Sequence, residues 1–285
     1  MEKPVWLKKK IRINDLAEMQ KLLRHSSLDT ICREAKCPNI GECYQKRQAS
    51  FLILGTACTR GCEFCNVDHK QPQKPDPDMP ERLARAIETL GLRFVVITSP
   101  TRDDLPDGGA SAFVDSIRAI RKRTPGVGIE VLIPDFQGNT ESLDMVASEK
   151  PDIISHNLET IERLYSIRKG ADYNRSLHVL EYLHVEWPQI ITKSGIMVGL
   201  GEKPVEVKEL LTHLYTRGCL NISIGQYLSP SKKHTPVIEF VTPEQFQEYR
   251  DYALSIGFNH IESAPYVRSS YMAENYLPEY SKPQK

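Results

Sequence analysis

The sequence predicts an α/β fold, a partial (β/α)6 TIM-type barrel with N-terminal and C-terminal extensions, on three observations. Short apolar runs recur after residue 50, separated by segments of helical character. The runs are rich in Val and Ile and almost continuous in apolarity, as strands buried on both faces of a parallel sheet are. Regular strand–helix alternation implies right-handed parallel crossovers, and no G-x-G-x-x-G follows the first run, which disfavours an open dinucleotide-binding sheet. The expected division is 1–50 as an N-terminal extension carrying a set of cysteines, 51–230 as the barrel, and 231–285 as a C-terminal extension.

In chain order, "FLILG" (51–55) reads as the first strand. A Pro-rich loop, "KQPQKPDPDMPERL" (70–83), leads into a helix over 80–92, with Pro near its start and Gly at its end. "FVVITS" (94–99) is the second strand, and "ASAFVDSIRAIRKRTPG" (110–126) the next helix. Strands follow at "GIEVLIP" (128–134), "IISHN" (153–157) and "GIMVGLG" (195–201). The helix "PVEVKELLTHLYTRG" (204–218) separates the last of these from "ISIGQY" (222–227), and "HIESAP" (260–265) is a seventh candidate. Polar or Gly-rich stretches follow most strands, among them "SPTRDDLPDGG" (99–109), "PDFQGN" (134–139) and "GQYLSPSKKH" (225–234). Barrels of this class collect their chemistry at such strand ends.

Composition narrows the function. The 285 residues are 40% apolar, enough for a sizeable core, and 37 basic residues balance 37 acidic ones. A neutral chain has no global field to recruit nucleic acid or an anionic membrane. No apolar run approaches the length of a membrane span. "MEKPVWLKKKIRIND" lacks the apolar h-region of a secretory signal, and Glu2, Asp15 and Glu18 argue against an organellar transit peptide. A cytoplasmic protein of bacterial type is expected, with a processed organellar form as the alternative.

The cysteines carry the strongest signal. Six of seven fall between residues 32 and 65, and clustered cysteines in a cytosolic chain point to metal or redox chemistry. Cys58, Cys62 and Cys65 lie at C-x3-C-x2-C in the loop directly after the first strand. Structural zinc takes four ligands, so zinc would need His69 to complete the set, with Asp68 adjacent to it. The other reading is a four-iron cluster with one iron open to a small molecule, since electron-transfer clusters take four cysteines. Gly61 is expected to supply a positive-φ turn, and Phe64 an apolar shield. Upstream, Cys32, Cys37 and Cys43 form a second trio at C-x4-C-x5-C, again without a local fourth cysteine; zinc with a distant ligand is the alternative there. Cys219, at the entry to an apolar run, reads as a small buried hydrophobe.

"C-TRG-C-EF-C" resembles the radical S-adenosylmethionine (SAM) signature, C-x3-C-x-aromatic-C. With the second trio, the chain resembles the lipoyl synthase family closely. The resemblance rests on "KPVWLK", "CREAKCPNIGECY", "RDDLPDGGA", "SHNLETIERLY", "KSGIMVGLGE", "IGQYLSPSKKHTPV" and "RSSYMAENY", which span almost the whole chain. One departure is "TSPTRDD", where family members often carry Asp before the Arg; here it is Thr101.

The resemblance implies two 4Fe-4S clusters. Cys58, Cys62 and Cys65 hold the radical SAM cluster, whose open iron takes S-adenosylmethionine. Cys32, Cys37 and Cys43 hold an auxiliary cluster with a serine of "RSSY", Ser269 or Ser270, as fourth ligand; Ser270 is the expected one, and with the radical-cluster cysteines it is a catalytic residue. The implied reaction inserts two sulfur atoms into an octanoyl chain on a protein lysine. Two S-adenosylmethionine molecules are consumed and the auxiliary cluster is the sulfur donor. No side-chain base removes hydrogen from an unactivated carbon, so a radical is required. On the expected barrel rim, Asn157, Gly199, Gly201 and Glu202 are candidate S-adenosylmethionine contacts, with purely structural rim hydrogen bonds as the alternative.

The implied partners are octanoylated lipoyl-domain proteins (the glycine-cleavage H protein and 2-oxoacid dehydrogenase E2 subunits). A low-potential donor of ferredoxin or flavodoxin type and iron–sulfur carrier proteins are implied as well. Neither nucleic acid nor membrane is expected. The basic stretches "LKKKIR" (7–12) and "SIRAIRKR" (116–123) are candidate docking surfaces for an acidic carrier, with a solvated helix face as the alternative for the second. The competing functions are another two-cluster radical sulfur transferase (a methylthiotransferase or a biotin-synthase-like enzyme), an electron-transfer iron–sulfur protein, and a zinc-binding interaction protein.

Overall fold

The computed structural model of the chain describes residues 2–8 and 17–277. Residues 9–12 of the basic stretch 7–12 lie outside them. The described residues form two compact units. The first comprises 17–61 and 66–154; the second comprises 2–8, 62–65 and 155–277.

In the first unit, α1 (Ala17–His25) precedes a two-residue strand β1 (Asp29–Thr30) and the short helices α2 (Ile31–Glu34) and α3 (Ile40–Gln45). Strand β2 (Ser50–Leu52) pairs parallel with β3 (Phe94–Thr98), and β3 with β4 (Gly128–Leu132). β1 runs antiparallel to β2, an edge that the sequence reading does not contain, because two residues carry no periodicity. Helices α4 (Met79–Leu90), α5 (Ala110–Arg123) and α6 (Thr140–Ser148) alternate with the strands, and β5 (Ile153–Ser155) follows. α4 starts and stops as its sequence dictates: Pro80 sits in the first turn and Gly91 closes it with φ 61°. Phe51, Leu83, Ile87, Ile97, Phe113, Ile117 and Ile129 are fully buried and form the unit's interior.

The second unit carries α7 (Tyr173–Glu186), β6 (Ile191–Val198), α8 (Pro204–Thr216), β7 (Asn221–Gln226), α9 (Pro243–Ile256) and β8 (His260–Ser263). β6, β7 and β8 pair parallel in sequence order. Leu158, Ile196, Val198, Leu210, Ile222, Ile224, Phe246 and Ile261 make its core. β6 begins four residues earlier than its apolar run suggests. Its polar first half is buried and bonded: Ser194 Oγ donates to the His156 carbonyl at 2.9 Å, and the Lys193 ammonium lies 4.2 Å from the Tyr276 ring centroid.

The C-terminal segment is fastened to this sheet at several points. Tyr276 Oη donates to the Ile222 carbonyl at 3.0 Å, and its ring packs 4.3 Å from that of His260. Upstream, a Cβ added to Gly225 in β7 would lie 2.1 Å from the Val267 carbonyl oxygen, so the segment rests directly on the strand backbone. Gly225→Ala is therefore expected to lower unfolding free energy by roughly 1–3 kcal/mol through overpacking, measured by urea denaturation. A change within error would show that the segment yields freely.

Candidate functional site

No disulfide joins any of the seven cysteines. Cys32 is buried in α2, Cys37 follows with its amide donating to the Cys32 carbonyl at 2.9 Å, and Cys43 lies in α3 with its amide donating to Asn39 O at 2.9 Å. Two short helices thus fix this trio within the first unit. Burial, reinforced by neighbouring Cys37, pushes the Cys32 thiol up to about 11. Cys219 is fully buried and its thiol is pushed up to about 12 by burial. Its thiol donates weakly to the Asn221 carbonyl at 3.6 Å, the small-hydrophobe role read from sequence.

Cys58 packs with the first unit, and Cys62 and Cys65 with the second. In the first unit the loop is set by its second half-turn. The Cys58 amide donates to Asp68 O at 2.8 Å, and the Thr59 amide donates to Thr101 O at 3.0 Å. Thr101 meets the loop through its backbone carbonyl, which any residue supplies, so the departure from the family pattern at that position costs the loop nothing. Arg60 is 6% exposed in its side chain and is gripped from two strand ends. It donates to Asp103 at 2.7 and 2.8 Å, and to Asp135, whose side chain is fully buried, at 2.9 and 2.8 Å. Burial alone would lower the Arg60 pKa, but the hydrogen bonds from Asp103 and Asp135 outweigh it and keep the guanidinium charged. Its own backbone amide donates to Cys58 Sγ at 3.4 Å. Neighbouring Arg102, also buried, pairs bidentately with Asp104 at 2.8 Å.

In the second unit, residues 62–65 are stitched along both sides. Glu63 N donates to Ile167 O at 2.9 Å, Thr235 N donates to Glu63 O at 3.0 Å, and Cys65 N donates to Cys62 O at 3.1 Å. His234 joins this set through Nε2, 3.1 Å from the Cys65 carbonyl, while its Nδ1 lies 2.9 Å from Ser231 Oγ. Phe64 is half-buried. Gly61 does not take positive φ, and a Cβ there would meet nothing within 4 Å. The turn is made by the neighbouring hydrogen bonds, not by glycine's conformational freedom.

The second unit also joins Asn157 to Ser269. Asn157 Nδ2 donates to Ser269 Oγ at 2.6 Å and to Glu159 Oε1 at 3.0 Å, while its Oδ1 is buried without a partner. Gly195 makes room for this: a Cβ there would lie 2.7 Å from Asn157 Oδ1 and 2.8 Å from Ser269 Oγ. Ser270 is half-buried, and among the described residues its hydroxyl makes no hydrogen bond. Glu202 turns back to accept from the Gly199 amide and, at 2.9 Å, from the Leu200 amide. Burial pushes its carboxyl up while those amides pull it down. Gly201 O accepts from Arg163 at 2.9 Å. The Ile238 amide donates to the Gly199 carbonyl at 2.9 Å, so the 199–202 turn is bonded both internally and to its surroundings.

The donors suit iron–sulfur clusters. Thiolates are soft ligands, and Asn157 Oδ1 is an orphaned buried acceptor of the kind a polar cofactor satisfies. Among the described residues, no group of three or more His, Cys, Asp or Glu is drawn together tightly enough to hold a single metal ion. Asp68, adjacent to the zinc candidate His69, is paired with Lys70 at 2.9 Å. Arg60, Asp103, Asp135 and His234 escaped the sequence reading as site residues. The signal available was their place immediately after buried strands, in loops that read only as a polar rim.

The basic stretch 116–123 is consumed internally. Arg118 pairs with Glu149 at 2.7 Å, Arg121 donates to the Lys150 carbonyl at 2.5 Å, and Arg123 pairs with Glu81 and Glu88. It is a bonded helix face, with its arginines committed within the unit.

Residues 52–214 match the family model described as the radical SAM superfamily. The chain is 55% identical over 274 residues to a lipoyl synthase of Geotalea uraniireducens, covering 96% of this chain and 97% of that one. It is 56% identical to a lipoyl synthase of Geobacter metallireducens, covering 97% and 98%. Among solved structures, methylornithine synthase (PylB) superposes with a TM-score of 0.54 at 14% identity, covering 90% of this chain and 83% of that one. At that identity the likeness concerns the fold alone, and it agrees with the expected α/β partial barrel.

The Arg60 clamp has a measurable cost of removal. Asp135→Ala takes a fully buried carboxylate from a buried guanidinium and is expected to destabilise the protein by about 3 kcal/mol, read from chemical denaturation. A loss under ~1 kcal/mol would mean that Asp103 alone suffices.

Proposed function

We propose that this chain, which belongs to the lipoyl synthase family of the radical SAM superfamily, holds one four-iron cluster on each cysteine trio and presents Ser270 to the auxiliary one. The chain is an enzyme of lipoyl synthesis, with iron–sulfur clusters and S-adenosylmethionine as cofactors. When bound, these cofactors supply one electron, a 5′-deoxyadenosyl radical able to take hydrogen from an aliphatic carbon, and sulfide for insertion.

The chain's own residues bind, orient and exclude. Cys58, Cys62 and Cys65 act as thiolate ligands and leave the fourth corner to S-adenosylmethionine. Asn157 offers its unpartnered Oδ1 to a donor of that cofactor, and Gly199, Gly201 and Glu202 are the other proposed contacts. Cys32, Cys37 and Cys43 hold the auxiliary cluster. Ser269 is engaged by Asn157 and Ser270 is not, which favours Ser270 as the fourth ligand. A hydroxyl oxygen is a harder and more readily released iron ligand than a thiolate, which suits a cluster that gives up sulfur. The reading is carried by one observation: two sets of three cysteines outside any disulfide, each without a fourth cysteine beside it in the sequence.

The substrate is an octanoyl group on a lipoyl-domain protein. The finer assignments are the glycine-cleavage H protein and 2-oxoacid dehydrogenase E2 subunits as carriers, a ferredoxin or flavodoxin as reductant, iron–sulfur carrier proteins for repair, and a cytoplasmic location. The neutral overall charge supports neither a nucleic-acid nor a membrane partner. Among the described residues, no helix is long and apolar enough to cross a membrane. The extensions 1–50 and 231–285 supply the auxiliary ligands, and 51–230 the radical SAM part.

The test is anaerobic incubation of reconstituted protein with dithionite, S-adenosylmethionine and an octanoylated peptide, followed by mass spectrometry. A lipoylated peptide is expected; a colourless zinc protein that leaves the peptide unchanged sinks the reading. Cys62→Ala is expected to abolish 5′-deoxyadenosine, and normal amounts would refute the open-iron role. Cys37→Ala is expected to spare S-adenosylmethionine cleavage and stop sulfur insertion. Ser270→Ala is expected to lower lipoyl product roughly tenfold or more while 5′-deoxyadenosine still forms.

A further inference from the structure

The buried Arg60 clamp lies inside the loop between two proposed cluster ligands, and nothing in the reaction uses its charge. Its placement is nevertheless specific. Asp103 comes from the loop after β3 and Asp135 from the end of β4, so one guanidinium ties the loop to two strand ends. The tie is reinforced around its edge. Thr59 Oγ1 donates to Thr101 O at 3.0 Å and accepts from the Asp103 amide at 3.1 Å. Gln137 Nε2 donates to Asp103 Oδ1 at 3.2 Å, and the Gln137 amide donates to Asp135 Oδ1 at 3.1 Å. Phe136 and Gln137 both take positive φ, 43° and 54°, to allow this; non-glycine residues accept that conformation only where surrounding bonds enforce it.

The strained backbone and the full satisfaction of the guanidinium have one common result. The Arg60 amide is held in place, 3.4 Å from Cys58 Sγ and donating to it. An N–H donor to a cluster thiolate stabilises the more negative, reduced form, and hydrogen bonds to sulfur are a main determinant of cluster potential. We propose that Arg60 is a positioning residue for the radical SAM cluster: its clamped side chain fixes the backbone donor to Cys58 and thereby sets how readily that cluster accepts its electron from the low-potential donor. This rests on the reading of Cys58 as a cluster ligand. Lysine cannot replace it, because a point charge does not fill two bidentate sites.

The experiment is an EPR-monitored redox titration of the fully reconstituted protein, comparing Arg60→Lys and Asp103→Asn with the unaltered chain. The auxiliary cluster serves as internal control, and thermal unfolding is followed in parallel. Both variants are expected to retain two clusters. At a fixed poise the reduced fraction of the radical SAM cluster should fall about fivefold relative to oxidised, the scale of one neutral hydrogen bond, while the auxiliary cluster is unmoved. Asp103 is partly solvent-exposed, so its variant keeps the test alive if Arg60→Lys does not fold. A lowered melting temperature with both potentials unchanged overturns the proposal and leaves Arg60 a stability residue. An equal shift of both clusters also overturns it. Cys58→Ala separates the underlying reading: if that variant still shows an intact radical SAM cluster signal, Cys58 is not a ligand, and that reading falls with the proposal.

Discussion

A guanidinium taken out of water must be met by carboxylates with matched geometry, and the first unit is arranged to meet one. Arg60 requires Asp103 and Asp135 together, because a single carboxylate would leave part of its fork unsatisfied in a dry site. That requirement fixes the ends of β3 and β4 relative to the loop that follows β2. It also explains why two residues after β4 carry an unfavourable backbone conformation. The order of cause runs from one buried charge to three strand ends to the placement of Cys58. The part of the cysteine loop around Arg60 is held by these ion pairs.

The second unit solves the corresponding problem with neutral groups. Asn157 spends its two amide hydrogens on Ser269 and Glu159, and Gly195 keeps the space open. The backbone of 62–65 is hydrogen-bonded to residues 167 and 235. Charge clamps one part of the cysteine loop and backbone pairing clamps the other. The cysteines are in no disulfide, and among the described residues no group of three or more His, Cys, Asp or Glu could hold a single metal ion.

The repeated strands and helices were legible because burial on both faces leaves an unbroken apolar run, and because Pro80 and Gly91 punctuate α4 as the physics of helix ends requires. The trios were legible from spacing alone. What stayed hidden depends on contacts between residues far apart in sequence. The first half of β6 reads as polar, yet Ser194 and Lys193 are buried with partners contributed by His156 and Tyr276. Arg60 and Asp135 are 75 residues apart, and neither announces the other. Gly61 invited a conformational explanation that its backbone does not need. Two identical side chains in a row do not distinguish Ser269 from Ser270, and the proposal of Ser270 draws its support from the Asn157 bond to Ser269.

The membership of the second unit bears on how the protein is made. Leu7 is buried in a unit otherwise built from residues 62–65 and 155–277, so it is translated before the rest of that unit. At ordinary elongation speeds, the time between translation of Leu7 and of Tyr276 is on the order of tens of seconds. Until Tyr276 is made, the unit that buries Leu7 is incomplete and the ammonium of Lys193 lacks its aromatic neighbour. Co-translational folding can complete the first unit early, but the unit that takes residues 2–8 together with 155–277 has to close after synthesis has passed Tyr276.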